Sequence, residues 1–167
     1  MLLTSLTLPA CRKVDFGPEE GYTPRDANNT PMGNADKTDW TSDQDWKKVE
    51  RELFKDSGVD LQQSQQGVAI NLTVFPNPVA QQGMFLVRPN TSRTVIPDLQ
   101  GQVVLVDKKY KVLQQFAVRT NTGGVGTMLD FTDDKYEQGQ LYRLYYIFYD
   151  DNKALYLKGH GDIKVSR

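Results

Sequence analysis

The sequence predicts an all-β fold: an antiparallel β-sandwich of Greek-key type, about seven or eight short strands, with one amphipathic helix on its amino-terminal side. Three observations carry this reading. Val68, Ile70, Leu72 and Val74 alternate with Ala69, Asn71 and Thr73 until Pro76-Asn77-Pro78 stops the run, as a half-buried strand requires. Apolar runs of strand length, separated by turn residues, then follow one another to the end of the chain. No strand–helix–strand alternation and no internal repeat competes with that pattern.

At 167 residues the chain has room for one ordinary domain and a tail. The apolar fraction of 38% is low for a chain that is compact throughout, which points to a segment contributing little to a core. Net charge is −1 with both signs well mixed, so no broad basic field exists to hold a nucleic-acid backbone. A single cysteine, Cys11, excludes an intramolecular disulfide. No apolar run approaches the roughly 18 to 20 residues that a membrane-spanning helix needs.

The chain divides into four stretches. Residues 1–11 are apolar and uncharged and end at Cys11, which fits the end of a secretory hydrophobic region. Leu8-Pro9-Ala10-Cys11 resembles the bacterial lipobox, and that resemblance implies a lipidated Cys11 as the mature amino terminus. Residues 12–38 are rich in Pro, Gly, Asn and Asp and read as a flexible tether, its ends on the order of 25 to 30 Å apart. The alternative is a segment strapped onto the domain through Phe16 and Tyr22. Residues 39–66 hold the expected helix and a polar linker, and residues 67–167 the sandwich.

The helix is expected over residues 39–54. Thr41 or Ser42 offers an N-cap, and Asp43, Gln44 and Asp45 suit a first turn. Trp46, Val49, Leu53 and Phe54 form an apolar stripe opposite Lys47, Lys48, Glu50, Arg51 and Glu52. Gly58 is the natural stop.

Within the sandwich, strands are expected at 68–74, 84–87, 102–106 (central, being apolar on both faces), 112–118, 127–131, 141–149, 154–157 and 163–165. The stretch 141–149, LYRLYYIFY, is the strongest, with aromatic and branched residues on both faces.

Phe75-Pro76-Asn77-Pro78-Val79, then 103–107 (VVLVD), 130–132 (DFT) and Gly139 ahead of 141–144 (LYRL) resemble, in order, the carboxy-terminal sorting domains of the type IX secretion system. The resemblance implies an Ig-like sandwich and a Bacteroidetes-type envelope setting. Only the expected tether and helix precede the domain as cargo would, so a sorting role is an alternative to an envelope component.

Residues that carry chemistry are sparse. His160, the one histidine, is expected as a polar loop residue between Gly159 and Gly161, with no second histidine or thiolate to complete a metal site. No G-x-S-x-G elbow and no phosphate-binding glycine loop occurs, since residues 121–126 (NTGGVG) precede a strand. Asp133-Asp134 and Asp150-Asp151 read as turn residues rather than a glycosidase pair. The expectation is therefore a non-enzyme without cofactor or metal. Tyr142, Tyr145, Tyr146 and Tyr149, with Trp40, form a candidate surface for a protein partner or a glycan if they face solvent; otherwise they belong to the core. The expected role is a binding or structural component of an envelope assembly, membrane-attached through Cys11, with carbohydrate binding as a further alternative.

Overall fold

The structure is a computed structural model that describes residues 16–90, 96–120 and 123–166. Its strands are β1 (Thr41–Ser42), β2 (Ile70–Phe75), β3 (Gln82–Pro89), β4 (Gln100–Val106), β5 (Val112–Arg119), β6 (Val125–Asp130), β7 (Leu141–Tyr149) and β8 (Leu155–Lys164). They form two antiparallel sheets, one in the order β2-β3-β6 and one in the order β1-β8-β7-β4-β5. The chain crosses between sheets after β1, after β3, after β5 and after β6.

Side chains alternate along a strand, so each strand of the larger sheet looks two ways. Tyr142, Leu144, Tyr146 and Phe148 of β7 pack with Val103, Leu105 and Ile163 against Leu72, Val74, Phe85, Val87 and Leu129 of the smaller sheet. The opposite face carries Val104, Val106, Tyr145, Ile147, Tyr149 and Leu155, which no second sheet covers. There Phe16, Trp46, Phe54 and Leu61 supply a third layer. Burial of each such side chain contributes about 1.5–3 kcal/mol.

That third layer corrects the expected flexible tether across residues 16–38. Phe16 is buried, stacking edge-on with Tyr110 at 6.0 Å and lying under the Arg143 guanidinium at 4.5 Å. Arg25 exchanges backbone hydrogen bonds with Asn77 at 2.7 and 2.9 Å. The composition of the stretch is polar because its anchors are backbone groups and a few aromatic rings, which a composition argument does not register. Residues 1–15, including Cys11, lie outside the described residues.

The single helix expected over residues 39–54 is also corrected. Only α1 (Lys48–Glu52) is α-helical, followed by a short 3-10 turn (Lys55–Ser57) that Gly58 ends at φ 71°. Trp40 has φ 58°, and Thr41 and Ser42 pair with His160 and Gly159 of β8. Sheet pairing therefore overrides local helical preference. Of the expected stripe, Trp46 and Phe54 are buried and Leu53 packs beside them, but Val49 and Glu50 change places: Val49 is 40% exposed and Glu50 7%. Glu50 turns inward because its carboxylate accepts from the Tyr145 hydroxyl at 3.1 Å and from the Lys47 backbone amide.

The last two expected strands are one strand. β8 runs without a break through Lys158-Gly159-His160-Gly161-Asp162, so His160 is not a loop residue. Its glycines answer a packing need: a Cβ on Gly161 would lie 2.5 Å from the Trp40 ring, and one on Gly159 would lie 1.9 Å from the Thr41 carbonyl oxygen. Trp40 fills that space, stacked on Tyr146 at 6.2 Å and beside Phe85 at 6.1 Å.

Gly161→Ala should therefore expel Trp40 from the sandwich edge. A loss of about 1–3 kcal/mol in urea unfolding is expected, with a red shift of tryptophan emission; unchanged stability and emission would refute this packing.

Candidate functional site

The lower face of β8 places Lys158, His160 and Asp162 in one row, each directly opposite Ile147, Tyr145 and Arg143 of β7. All three are buried although all three are polar. The amino-terminal segment 16–47, the strap, closes over His160 and Asp162, which pair with Asp43 of the strap and Arg143 of β7, while Lys158 Nζ donates to the Leu61 carbonyl at 2.6 Å.

Arg143 and Asp162 form a bidentate pair, Nε to Oδ1 at 2.7 Å and Nη2 to Oδ2 at 2.8 Å, with side chains 2% and 0% exposed. The strap completes it: Arg143 Nη2 donates to the Glu19 carbonyl at 2.7 Å, and Gly21 N donates to Asp162 Oδ2 at 3.0 Å. Although burial works against the Arg143 charge, the hydrogen bond and charge of Asp162 outweigh it and raise its pKa. Asp39 lies alongside, accepting from Asp162 N at 2.9 Å and Thr23 N at 2.7 Å. Burial, helped by the nearby Asp162 charge, pushes the Asp39 carboxyl up to about 6 against those two hydrogen bonds.

His160 belongs to a second polar group. Its Nδ1 lies 2.7 Å from Asp43 Oδ2, which also accepts from Trp46 Nε1 at 2.8 Å, while Asp43 Oδ1 accepts from Thr41 Oγ1 at 2.9 Å. Burial raises the Asp43 carboxyl, but the hydrogen bond and charge of His160, with the Trp46 and Thr41 donors, hold it below the usual range. An ionised carboxylate only accepts, so the network assigns the proton to Nδ1. Nε2 is buried and has no hydrogen-bond partner among the described residues.

His160 lines a cleft of about 510 Å³ between strap and sheet. Phe16, Glu19, Lys37, Asp45, Lys47 and Arg143 line it too. An aspartate orienting a histidine is half of a nucleophile-activating device. The other half is not in contact, because no hydroxyl or thiol among the described residues is hydrogen-bonded to Nε2. Among the described residues no group of three or more His, Cys, Asp or Glu is placed to hold a metal ion, and no helix is long and apolar enough to cross a membrane.

The expected aromatic surface is corrected. Tyr142, Tyr145, Tyr146 and Tyr149 are all under 5% exposed. Both faces of β7 are covered, so these rings pack internally. Trp40 is half-buried and caps the sandwich edge. Sequence reasoning took His160 for a loop residue and Asp43 for a helix first-turn residue, and passed over Arg143 and Asp162. A readable signal existed in the alternation of Lys158, His160 and Asp162 with glycines, a period of two that a strand would place on one face.

The sequence matches no protein-family model, and no curated protein matches it either. Among solved structures, dimeric latent PorU from Porphyromonas gingivalis is similar with a TM-score of 0.44 and 17% identity, over 59% of this chain and 9% of that one. A glycosyl hydrolase family 2 member from Bacteroides cellulosilyticus gives 0.40 and 15%, over 58% of this chain and 14% of that one. Bacteroides uniformis β-glucuronidase 2 gives 0.32 and 13%, over 57% and 12%. The chain thus spans between 9% and 14% of the length of these proteins. The first two neighbours, PorU and the family 2 domain, come from Bacteroidetes.

Two outcomes test the polar row. Arg143→Met leaves the Asp162 charge buried without its partner, and a loss of about 3–5 kcal/mol in denaturant unfolding is expected. In a carbon-detected NMR titration Asp39 should show a midpoint near 6, and Asp43 one below the ordinary carboxylate value. Because the Asp39 value stands higher in the folded state than in the unfolded one, its contribution is fully present below pH of about 4 and is lost as pH rises through about 6. Asp43 has the opposite sign, its contribution being lost as pH falls. The loss on raising pH should vanish in Asp39→Asn; an Asp39 midpoint at or below about 4 contradicts the assignment.

Proposed function

We propose that this protein is a non-catalytic component of the bacterial cell envelope, an Ig-like sandwich attached to a membrane through lipid on Cys11 and serving as a binding or structural part of an envelope assembly. The observation that carries this reading is Leu8-Pro9-Ala10-Cys11, a lipobox-like sequence directly ahead of the strap. The site is compatible with it, since His160 has an orienting aspartate but no hydrogen-bonded nucleophile among the described residues.

The docked strap sharpens the picture. Phe16 is fixed on the sheet five positions after Cys11, and five residues reach at most about 18 Å. A lipidated Cys11 therefore holds the folded body against the bilayer surface. A longer spacer is not part of this reading.

The second reading, an export-sorting domain, rests on the Phe75-Pro76-Asn77-Pro78 element. Against it stands the third layer: residues 68–167 alone leave Val104, Tyr145, Ile147 and Tyr149 without Phe16, Trp46, Phe54 and Leu61. A transferable signal covers its own sheet. Fused to a reporter, residues 68–167 are thus expected to stay cell-retained and aggregation-prone, whereas surface delivery of the reporter favours sorting.

The anchor is tested directly by mass spectrometry of the native protein. An acylated amino-terminal Cys11 is expected, and Cys11→Ser should move the protein from the membrane to the soluble fraction. An intact, unmodified Met1 overturns the reading.

A further inference from the structure

The two ends of the larger sheet are finished differently. At one end β1 and a row of side chains close β8, whereas at the other β5 pairs with β4 alone. Thr120 N donates at 2.9 Å to the carbonyl of Leu99, just ahead of β4, so by the alternation of an antiparallel ladder Val118, Phe116 and Gln114 also turn their backbone groups toward β4. Gln115 and Ala117 turn theirs outward, where they have no hydrogen-bond partner among the described residues. Leu113 faces the same way, and its carbonyl accepts from Lys135 Nζ at 3.4 Å.

An open edge is a template for a further strand, and charge along it is a common guard. β5 lacks that guard: residues 112–118, VLQQFAV, include no charged residue and no proline. The charges stand at its ends, and they differ in sign. Lys109 and Lys111 precede the strand. At the far end Arg119 is bracketed by Asp98 at 2.7 Å and Asp151 at 3.8 Å, a group with acid in excess. A strand that is basic at one end, acidic at the other and neutral between is complementary to itself when reversed. A two-fold axis reverses it. The other open edges fit this less well, since β2 and β6 have six residues to the eight of β5. Beside β2 lies the strap, with Asn29 Nδ2 donating to Thr73 Oγ1 at 3.3 Å, and the Asp130 carbonyl of β6 is taken by Gln114 Nε2 at 2.6 Å.

We propose that a second copy of this chain adds to β5 in antiparallel register about a two-fold axis at Phe116, joining the two larger sheets into one. Gln115 of one copy lies opposite Ala117 of the other, so their outward amides and carbonyls meet as hydrogen-bonded pairs. Phe116 lies opposite itself at the closer, non-hydrogen-bonded position. Its ring is half-buried and edge-on to Phe85 at 5.7 Å, and an aromatic pair across the axis stabilises the ladder. On the opposite face Val112, 44% exposed, takes the aliphatic stem of Arg119 from the other copy, and Lys111 comes toward the acids beside that arginine. The dimer is independent of the lipid anchor: an unacylated Cys11 leaves it standing, and a monomeric chain leaves the anchor standing.

The test uses the full chain carrying Cys11→Ser, which removes both the lipid site and the one native thiol. Sedimentation equilibrium should give a mass that rises from 18.9 kDa toward twice that value as concentration passes through about 10–100 μM. Gln115 and Ala117 are exposed, so Gln115→Lys with Ala117→Lys leaves the bonds to β4 in place while setting like charges against each other across the axis. That variant should keep its near-UV dichroism and dimerise at least about tenfold more weakly. Register is read without it. Gln115→Cys and Ala117→Cys, placed in separate chains, should cross-link on mixing faster than either does with itself, because hydrogen-bonded partners lie about 5.5 Å apart at Cα, within disulfide reach. Three outcomes overturn the proposal: a chain that stays monomeric up to about 1 mM, whether or not an unrelated extended peptide adds to β5; unchanged dimer affinity in the folded lysine variant; or cross-linking no faster in the mixture than in either cysteine variant alone.

Discussion

Strand β7 is buried on both faces, and the rest of the molecule follows from that constraint. Its even-numbered side chains from Tyr142 to Phe148 are satisfied by the smaller sheet, as in any two-layer sandwich. Its odd-numbered ones, Tyr145, Ile147 and Tyr149, point away from that sheet and need a cover of their own. Arg143 lies among them, where a charge is tolerated only with a partner that is also out of water. Asp162 on the neighbouring strand is that partner. The pair still leaves donors and acceptors over, and the strap segment from Glu19 to Thr23 supplies them from its backbone. An ion pair thus dictates where a polar, proline- and glycine-rich segment must lie.

The same strap closes the edge of β8. A ten-residue edge strand presents a row of unpaired amides and carbonyls, which invites another chain to add to it. Here β1 pairs with the middle of the edge, and side chains imitate a strand on either side. Gln65 Oε1 accepts from Lys158 N at 2.7 Å, Asp39 Oδ1 from Asp162 N at 2.9 Å, and Asn77 Oδ1 from Lys164 N at 3.0 Å. Asn77 Nδ2 also donates to the Asp162 carbonyl at 2.9 Å. The asparagine between the two prolines, fully buried, is therefore a fastener for the final strand rather than a turn residue alone.

What was legible in the sequence was what depends on short-range periodicity. Alternation located β2 to within a few residues, apolar runs between turn residues did the same for β4 and β5, and aromatic residues on both faces of 141–149 marked β7 as a strand buried on both sides. The nature of its outer cover was not legible, because Phe16, Trp46, Phe54 and Leu61 are spread over 46 positions without a common period. The helix expected over residues 39–54 failed for a related reason. Thr41 suits an N-cap and Asp43 a first turn, but the same hydroxyl and carboxylate bond to each other and serve His160, which lies 117 positions beyond Asp43. Glycines misled the reading of residues 158–162 by suggesting a loop. They are present because Trp40 and Thr41 come too close for a Cβ.

The site inherits this division between local and distant. His160 and Arg143 stand on the sheet, whereas Asp43, Glu19, Lys37, Asp45 and Lys47 stand on the strap, so the cleft exists only while the strap is docked. Any molecule that touches both walls binds the docked state alone and stabilises it by mass action. The strap begins at Phe16, a few residues after the cysteine through which the chain is proposed to meet the membrane. Occupancy of the cleft and the hold of the body near its anchor are consequently linked through one covalent segment, the segment whose composition alone suggested a passive spacer.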